Sequence, residues 1–208
     1  MDVLEIAPGL WRWTGYHDEW RADVGSVYCE TGDGVVLIDP IVPPEDADRF
    51  WHALDKDVER QQAAVHVLVT VFWHTRDAAA MAERYGARVW APSGARAAIA
   101  RRAPVTDVFR SRDALPGGIE VLETSRRGEV MYWIPPHGAL VPGDVLLGDG
   151  AGGLRLCPPS WLPSGRPRDT LAASLRPALA LPVRRVLVSH GDPVLERAKA
   201  ALTHALAA

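Results

Sequence analysis

The chain has 208 residues, of which 48% are hydrophobic and 24% are charged, and its formal net charge is −3. This length suits a single domain over residues 1–208, and the average composition argues against disorder and fibrous repeats. No apolar run approaches the roughly 20 residues of a membrane-spanning helix. Acidic residues near the N-terminus are unlike a secretory signal, so we expect a cytoplasmic protein that does not contact membranes.

The charged residues and cysteines exclude two further classes of partner. The 21 Arg and two Lys residues are scattered and balanced by 26 acidic residues, which argues against nucleic-acid binding. Cys29 and Cys157 match no closely spaced metal-binding pattern and are expected to be two separate thiols.

The first third of the chain is rich in short strand-like runs. They cover residues 3–6, 10–14, 26–30 and 35–38. Thr31-Gly32-Asp33-Gly34 is typical of a hairpin turn. The continuous apolar run 35–38 predicts a strand that is buried on both faces. A helix is expected after Pro43 and Pro44, with Phe50, Leu54 and Val58 facing the core.

Strands and helices alternate in the rest of the chain. The predicted strands cover residues 65–71, 89–90, 119–122, 129–134, 139–141 and 183–189, and the predicted helices cover 77–85, 93–102, 169–180 and 194–207. Pro and Gly crowd residues 148–167, which predicts a long loop. Strands first and strand–helix units later favour an α/β (α+β) fold in which helices cover two sheets.

Three predicted strands are followed at once by a side chain that can bind a metal ion. These side chains are His74, Asp144 and His190. Two imidazoles and a carboxylate, with a fourth position open, are typical of a catalytic zinc site. Structural roles also explain them singly: His74 is expected to be buried among aromatic residues, and Asp144 follows Gly143 in a turn.

The order of these segments resembles the metallo-β-lactamase superfamily over nearly the whole chain. Residues 34–39 resemble the family's early strand ending in aspartate, and 80–89 resemble the helix and strand after its first metal motif. Residues 128–144 and 186–193 resemble the segments that supply a bridging aspartate and the final histidine. The resemblance implies a four-layer αββα sandwich of two mixed sheets flanked by helices, with Asp39 supporting the site by hydrogen bonds.

The metal-binding signature of that family is degenerate in this chain. The family pattern is His-x-His-x-Asp-His, whereas the chain has Thr70-Val71-Phe72-Trp73-His74-Thr75-Arg76-Asp77. The spacing from His74 to Met81 aligns His74 with the last histidine of the signature. Counting forward from Thr70 instead aligns Val71 and Trp73 with the first two histidines and Arg76 with the last. We prefer the first register because helix packing fixes it.

The next histidine of the family is also missing, and Ser125 is nearest its place, where it would support the site from behind the ligands. The ligands of the family's first metal are therefore lost. A reduced site of His74, Asp144 and His190 remains, with Asp77 one helical turn further on.

Two functional hypotheses follow. In the first, the reduced site holds one Zn²⁺, Mn²⁺ or Fe²⁺ ion, and the protein hydrolyses a small ester, thioester or lactone with Asp77 as proton carrier. In the second, the protein binds no metal and is a pseudoenzyme whose remodelled cleft binds a ligand or partner. Trp73 and Arg76 are the predicted substrate contacts, with Arg76 suited to an anionic ligand.

Other arginines and tryptophans have less specific expectations. Arg126 and Arg127 either lie on the exposed surface, which we favour, or bind an anion. Four tryptophans are candidates for the walls of the cleft, namely Trp11, Trp13, Trp20 and Trp161.

Overall fold

The computed structural model describes residues 2–162, 165 and 167–207. In this part the strands are β1 Val3–Ala7, β2 Leu10–His17, β3 Ala22–Thr31, β4 Gly34–Ile38, β5 Ala64–Leu68, β6 Arg88–Pro92, β7 Val105–Phe109, β8 Glu120–Glu123, β9 Val130–Ile134, β10 Ala139–Val141, β11 Leu146–Gly148, β12 Leu154–Leu156 and β13 Arg185–Val186. The α-helices are α1 Ala47–Gln61, α2 Ala78–Tyr85, α3 Arg96–Ile99, α4 Arg168–Leu175 and α5 Ala198–Ala205.

Two mixed sheets form the centre of the molecule. The first has seven strands in the order β1 to β7, antiparallel from β1 to β4 and parallel from β4 to β7. The second has the order β13-β10-β9-β8, and only the β10–β13 pair is parallel. Strands β11 and β12 form a separate two-stranded sheet. The predicted α/β architecture of two mixed sheets with helices is confirmed.

The strands alternate their side chains between two core layers, as the two-residue period of a strand requires. In β4, Val35 and Leu37 pack toward helices α1 and α2, whereas Val36 and Ile38 pack toward the second sheet. In β9, the side chain of Tyr132 lies between the sheets, and that of Met131 packs with α4 and α5. The order of layers is therefore helix, sheet, sheet, helix.

Strand β5 ends three residues earlier than the sequence predicts, because the backbone amide of Thr70 forms a hydrogen bond with the side chain of Asp39 and not with a neighbouring strand. The amide N–H of Thr70 donates to Asp39 Oδ1 at 2.8 Å. Its carbonyl accepts from the amide of Val130 in the second sheet. Thr70 thus leaves the ladder of β5 and links the two sheets, and a turn of 3₁₀-helix follows at Phe72–Thr75.

Other predicted elements are shorter than expected. The helix predicted at 93–102 is reduced to α3, and Ser93 lies before it, with its amide donating to the carbonyl of Phe109. The strand predicted at 183–189 is reduced to β13, and α5 begins after the helix start predicted at 194. The predicted loop 148–167 contains β12, and its residues 163, 164 and 166 lie outside the described residues.

Strand β7 was not predicted from the sequence, and it forms the outer parallel strand of the first sheet. Among the described residues, no helix combines the length and the apolar character that crossing a membrane requires.

Candidate metal centre

The candidate ligands lie where strands of both sheets end. Asp39 follows β4, and His74 lies in the 3₁₀ turn after β5. Asp144 follows β10, and His190 follows β13. Strands β4 and β5 are parallel, as are β10 and β13, so each pair delivers its carboxyl end to the same edge. In open α/β sheets this edge is the usual place for ligands.

His74, Asp144 and His190 come together with the spacing of metal ligands. Their potential donor atoms all lie within 4.8 Å of one another. His74 Nε2 is 3.1 Å and His190 Nε2 is 3.3 Å from the same oxygen, Oδ1 of Asp144. Tetrahedral bonds of about 2.0–2.1 Å separate neighbouring donors by roughly 3.3 Å. Both measured distances are close to that separation.

The hydrogen bonds of His74 point its free nitrogen at Asp144. Its Nδ1 lies 2.8 Å from Asp39 Oδ2, which also accepts the hydroxyl of Thr70 at 2.5 Å. Because Asp39 acts as the acceptor, Nδ1 carries a proton, and Nε2 carries the lone pair whenever the ring is neutral. A carboxylate that orients a histidine in this way is typical of metal sites.

Two buried polar atoms of the three candidate ligands lack a hydrogen-bond partner among the described residues. They are His74 Nε2 and Asp144 Oδ1, which face each other. A lone pair and a carboxylate oxygen at this distance repel each other unless a proton or a metal cation lies between them. The donor set therefore fits a divalent metal ion with nitrogen and oxygen ligands.

Electrostatics already favours positive charge at this point. Burial opposes the charged form of His74, but the carboxylates of Asp144 and Asp39 outweigh it and raise the pKa of the imidazole. Burial also opposes ionisation of Asp144, yet His74 and His190 hold the pKa of its carboxyl well below the ordinary value. The carboxylate consequently stays ionised and available as a ligand.

The remaining polar atoms of Asp144 are held by its neighbours. Trp73 donates its indole N–H to Asp144 Oδ2 at 2.7 Å. The backbone amide of Asp144 donates to Glu129 Oε1 at 2.9 Å. These bonds fix the orientation of the carboxylate and leave Oδ1 as its ligating oxygen.

A cavity of about 520 Å³ opens onto these residues. Its lining residues are Trp20, Ala22, Trp73, Arg126, Asp144, Trp161 and His190. The ring of His190 packs against the edge of Trp161 at 5.7 Å and lies 6.3 Å from Trp20. This volume and its largely aromatic wall suit a small organic molecule.

Arg126 is buried in the cavity wall, which corrects the favoured expectation of an exposed side chain. Its guanidinium lies over the Trp73 ring at 5.0 Å, and its Nε is 3.0 Å from Glu129 Oε2. Burial raises the pKa of Glu129 to about 7, because the Asp144 charge adds to the desolvation and Arg126 only partly compensates. Arg127, the next residue, is exposed as expected.

Arg76 does not line the cavity, and its predicted role as an anion-binding residue is not supported. The half-buried side chain donates to the carbonyls of Gly25 and Asp39 at 2.8 Å each. It also donates to the hydroxyl of Ser189 at 2.6 Å. Carbonyl and hydroxyl oxygens therefore accept from both terminal nitrogens of Arg76, and the bond to Ser189 holds the segment that carries His190.

Solved structures resemble the whole chain. DIM-1 metallo-beta-lactamase superposes with a TM-score of 0.76 and 14% identity over 99% of this chain and 95% of that chain. FIM-1 metallo-beta-lactamase from Pseudomonas aeruginosa, in its mono-zinc form, gives 0.73 and 12% over 99% and 94%. A metallo-beta-lactamase family protein from Thermus thermophilus gives 0.66 and 17% over 98% and 81%. No protein-family model matches the chain, and no curated protein sequence matches it.

The chain has the metallo-β-lactamase fold. The resemblance inferred from strand-end residues is thus confirmed at the level of the fold, and the low identities agree with a divergent sequence.

Within this metallo-β-lactamase fold, two predicted site residues lie away from the cavity. The carboxylate of Asp77 accepts the amide of Val42 at 2.7 Å, so it fixes the loop before α1 and has no geometric support as a proton carrier. The amide of Ser125 donates to the hydroxyl of Ser174 in α4, on the outer side of the second sheet. Trp13 is also turned away from the cavity, with its indole N–H on the carbonyl of Ile41.

Glu129 was not found from the sequence, and anion binding by Arg126 was the less favoured of two alternatives. Trp20 and Trp161 line the cavity as expected. Trp20 reaches the cavity from the turn between β2 and β3, and Arg126 and Glu129 come from the turn before β9. The three-residue spacing of Arg126 and Glu129 was the available signal, since opposite charges at this spacing often pair. Nothing in the sequence marked that pair as buried.

Proposed function

We propose that this protein is a hydrolase that uses one divalent metal ion, held by His74, Asp144 and His190, and acts on a small ester, thioester or lactone. The observation that carries the proposal is the pair of buried atoms His74 Nε2 and Asp144 Oδ1, 3.1 Å apart and without hydrogen-bond partners among the described residues. Zinc suits two imidazoles and one carboxylate best.

Other residues of the chain would orient the ligands of that ion, and one ligand borders the cavity. A divalent metal supplies a Lewis acid that polarises a carbonyl oxygen and lowers the pKa of water. Asp39 holds His74 in the ligating tautomer, and Trp73 holds Asp144 so that one oxygen faces the histidines. The side chain of His190 is 20% exposed and borders the cavity, so a substrate reaches the centre from its side.

The metallo-β-lactamase fold supports the reaction class. One solved structure with this fold is described as the mono-zinc form of a metallo-beta-lactamase, so a single ion is compatible with the fold. The cavity volume of about 520 Å³ supports a small molecule as the substrate. The aromatic wall excludes water from an acyl group placed against it.

The test is elemental analysis of protein purified without a metal-binding affinity tag, combined with hydrolysis assays. We expect about one equivalent of zinc or manganese per chain. We also expect hydrolysis of at least one of 4-nitrophenyl acetate, a phenyl thioester and γ-butyrolactone. His190→Ala should lower both the metal content and the rate by about tenfold or more, because only two ligands remain.

The matched control is His204→Ala, because His204 is exposed on α5 and far along the chain from the ligands. It should keep the metal and the rate. A protein that takes up no zinc at any concentration would contradict the proposal. The metal-free pseudoenzyme would then be the better description, with a protonated His74 bridging Asp39 and Asp144.

A further inference from the structure

The guanidinium of Arg126 has unused hydrogen-bonding capacity in a buried position. An arginine side chain carries five N–H donors and no acceptor. Its Nε lies 3.0 Å from Glu129 Oε2, but neither this oxygen nor the buried Nη1 has a hydrogen-bond partner among the described residues. Buried donors are nearly always paired in folded proteins, so this ion pair is incompletely hydrogen-bonded, and Arg126 lines the cavity with donors left for a further acceptor.

The pairing with Glu129 does not use the whole guanidinium. Glu129 directs Oε1 to the amide of Asp144 and only Oε2 to Arg126. The contact is therefore made through one oxygen, whereas a carboxylate that serves only an arginine usually binds with both. The position of Arg126 in the cavity wall leaves room for a second anion.

Aromatic rings surround this charge. Trp73 lies under the guanidinium at 5.0 Å, and Trp20 and Trp161 line the same cavity. Indole faces stabilise a stacked cation and also bind flat apolar groups. The wall thus combines one cationic hydrogen-bond donor with apolar surface on several sides.

We propose that the cavity binds a small carboxylate with a flat apolar body, and that Arg126 is the residue that recognises the carboxylate. Trp73 sets the position of this group relative to the candidate metal centre, since its ring lies under Arg126 while its N–H contacts Asp144. A bound carboxylate would place its apolar body beside His190.

This binding does not depend on a metal ion, so it is independent of the proposed hydrolysis. If the protein is also a hydrolase, its substrates carry a negative charge near the bond that is cleaved. If it is not, the same cavity binds carboxylates without turnover.

The test is isothermal titration calorimetry with two probes of equal shape, 3-phenylpropanoate and 3-phenylpropanamide. The protein is dialysed against EDTA, so that the carboxylate has no metal to bind. We expect the carboxylate to bind about tenfold or more tightly than the amide, as a charge-assisted hydrogen bond to a buried arginine implies. Equal affinities, or no binding of either probe, would overturn the proposal.

The variant is Arg126→Met combined with Glu129→Gln. Replacing Arg126 alone would leave Glu129 buried without its cation, whereas the glutamine oxygen of the double variant still accepts the Asp144 amide. Circular dichroism checks that the double variant is folded. Its preference for the carboxylate should fall to within about twofold, a loss of the charge-assisted bond.

Arg127→Gln is the matched control, because it removes the adjacent but exposed arginine. It should keep the full preference of the unmodified protein. A preference that survives in the double variant, or that disappears in Arg127→Gln, would show that Arg126 does not recognise the carboxylate.

Discussion

Glu129 is only 2% exposed. Three neighbouring groups affect the charge of its carboxyl group. Arg126 attracts the ionised form and the Asp144 amide donates to it, but the Asp144 carboxylate repels it. Desolvation is the largest effect and disfavours the charge. The group therefore holds Asp144 in place at the cost of its own ionisation.

The raised pKa of Glu129 predicts that the free energy of unfolding depends on pH. The pKa of Glu129 rises from an ordinary value of 4.5 to about 7 on folding. The folded state therefore binds the proton more tightly, and this contribution is present at low pH and lost as the pH rises toward 7. The loss amounts to about 3 kcal/mol of unfolding free energy. Urea denaturation of metal-free protein between pH 4.5 and 8 measures it.

Glu129→Gln should remove most of this pH dependence, because the amide does not ionise and still accepts the bond from Asp144. Glu123→Gln, at an exposed position of β8, is the control and should leave the dependence unchanged. A Glu129→Gln protein with the same slope would show that other groups cause it.

At this scale the sequence predicted three candidate ligands that the structure brings together, but only part of their surroundings. His74, Asp144 and His190 were found because each follows an apolar strand, and Asp39 was found through the family resemblance. Arg126 was expected on the surface, because its burial depends on a turn packing against Trp73. Asp77 was misplaced because one helical turn carries its carboxylate to the backbone of Val42.

At the scale of elements, the segment that carries His190 is held by two arginines, the buried Arg12 and the half-buried Arg76. Arg12 in β2 donates to the carbonyls of Val188 and Gly191, on either side of His190. Arg76 donates to the hydroxyl of Ser189, and the amide of Gly25 in β3 donates to its carbonyl. The first sheet thus positions a ligand that belongs to the second.

Gly25 lies where these groups meet and has no space for a side chain. A Cβ atom there would lie 2.7 Å from Arg12 Nη2 and 2.8 Å from the carbonyl oxygen of Val188. Gly25→Ala should therefore destabilise the protein by about 1–3 kcal/mol, since the carbonyl belongs to backbone and cannot turn away. Urea denaturation measures the change.

Gly32→Ala is the matched control, because a Cβ atom at Gly32 meets nothing within 4 Å. It should change stability by less than about 0.5 kcal/mol. If both variants lost the same stability, close packing at the His190 segment would not be the cause.

The order of elements was predictable because hydrophobic period and turn residues are local signals. The residues at which the elements begin and end were less predictable, because hydrogen bonds to distant parts of the chain determine them. Thr70 leaves β5 because Asp39 captures its amide, and Val194 forms an isolated bridge with Val186 in place of the predicted helix start. Neither partner is near in sequence to the residue whose structure it changes.

At the scale of the whole molecule, the candidate centre lies across the boundary of the two sheets. His74 is supplied by the first sheet, and Asp144 and His190 by the second. A metal ion bound by all three would bind the folded protein far better than the unfolded chain. It would therefore stabilise the packing of one sheet on the other.

Zinc should accordingly raise the melting temperature of EDTA-treated protein. At a free zinc concentration of about 100 times Kd the gain is about 2.7 kcal/mol, which corresponds to roughly 5–10 °C for a chain of this size. Differential scanning calorimetry measures the shift, and EDTA should reverse it. His190→Ala should show little response, and an unshifted melting temperature in the unmodified protein would contradict the three-ligand site.

The two cysteines are buried in different layers. Cys29 lies in the core between the sheets, and Cys157 lies between the second sheet and its helices. Burial raises the pKa of Cys29 to about 12 and also raises that of Cys157, so both thiols are protonated as well as shielded. Alkylation of each one thus requires its own layer to open. The alkylation rate of Cys29 therefore measures local opening between the two sheets, and that of Cys157 measures local opening between the second sheet and its helices.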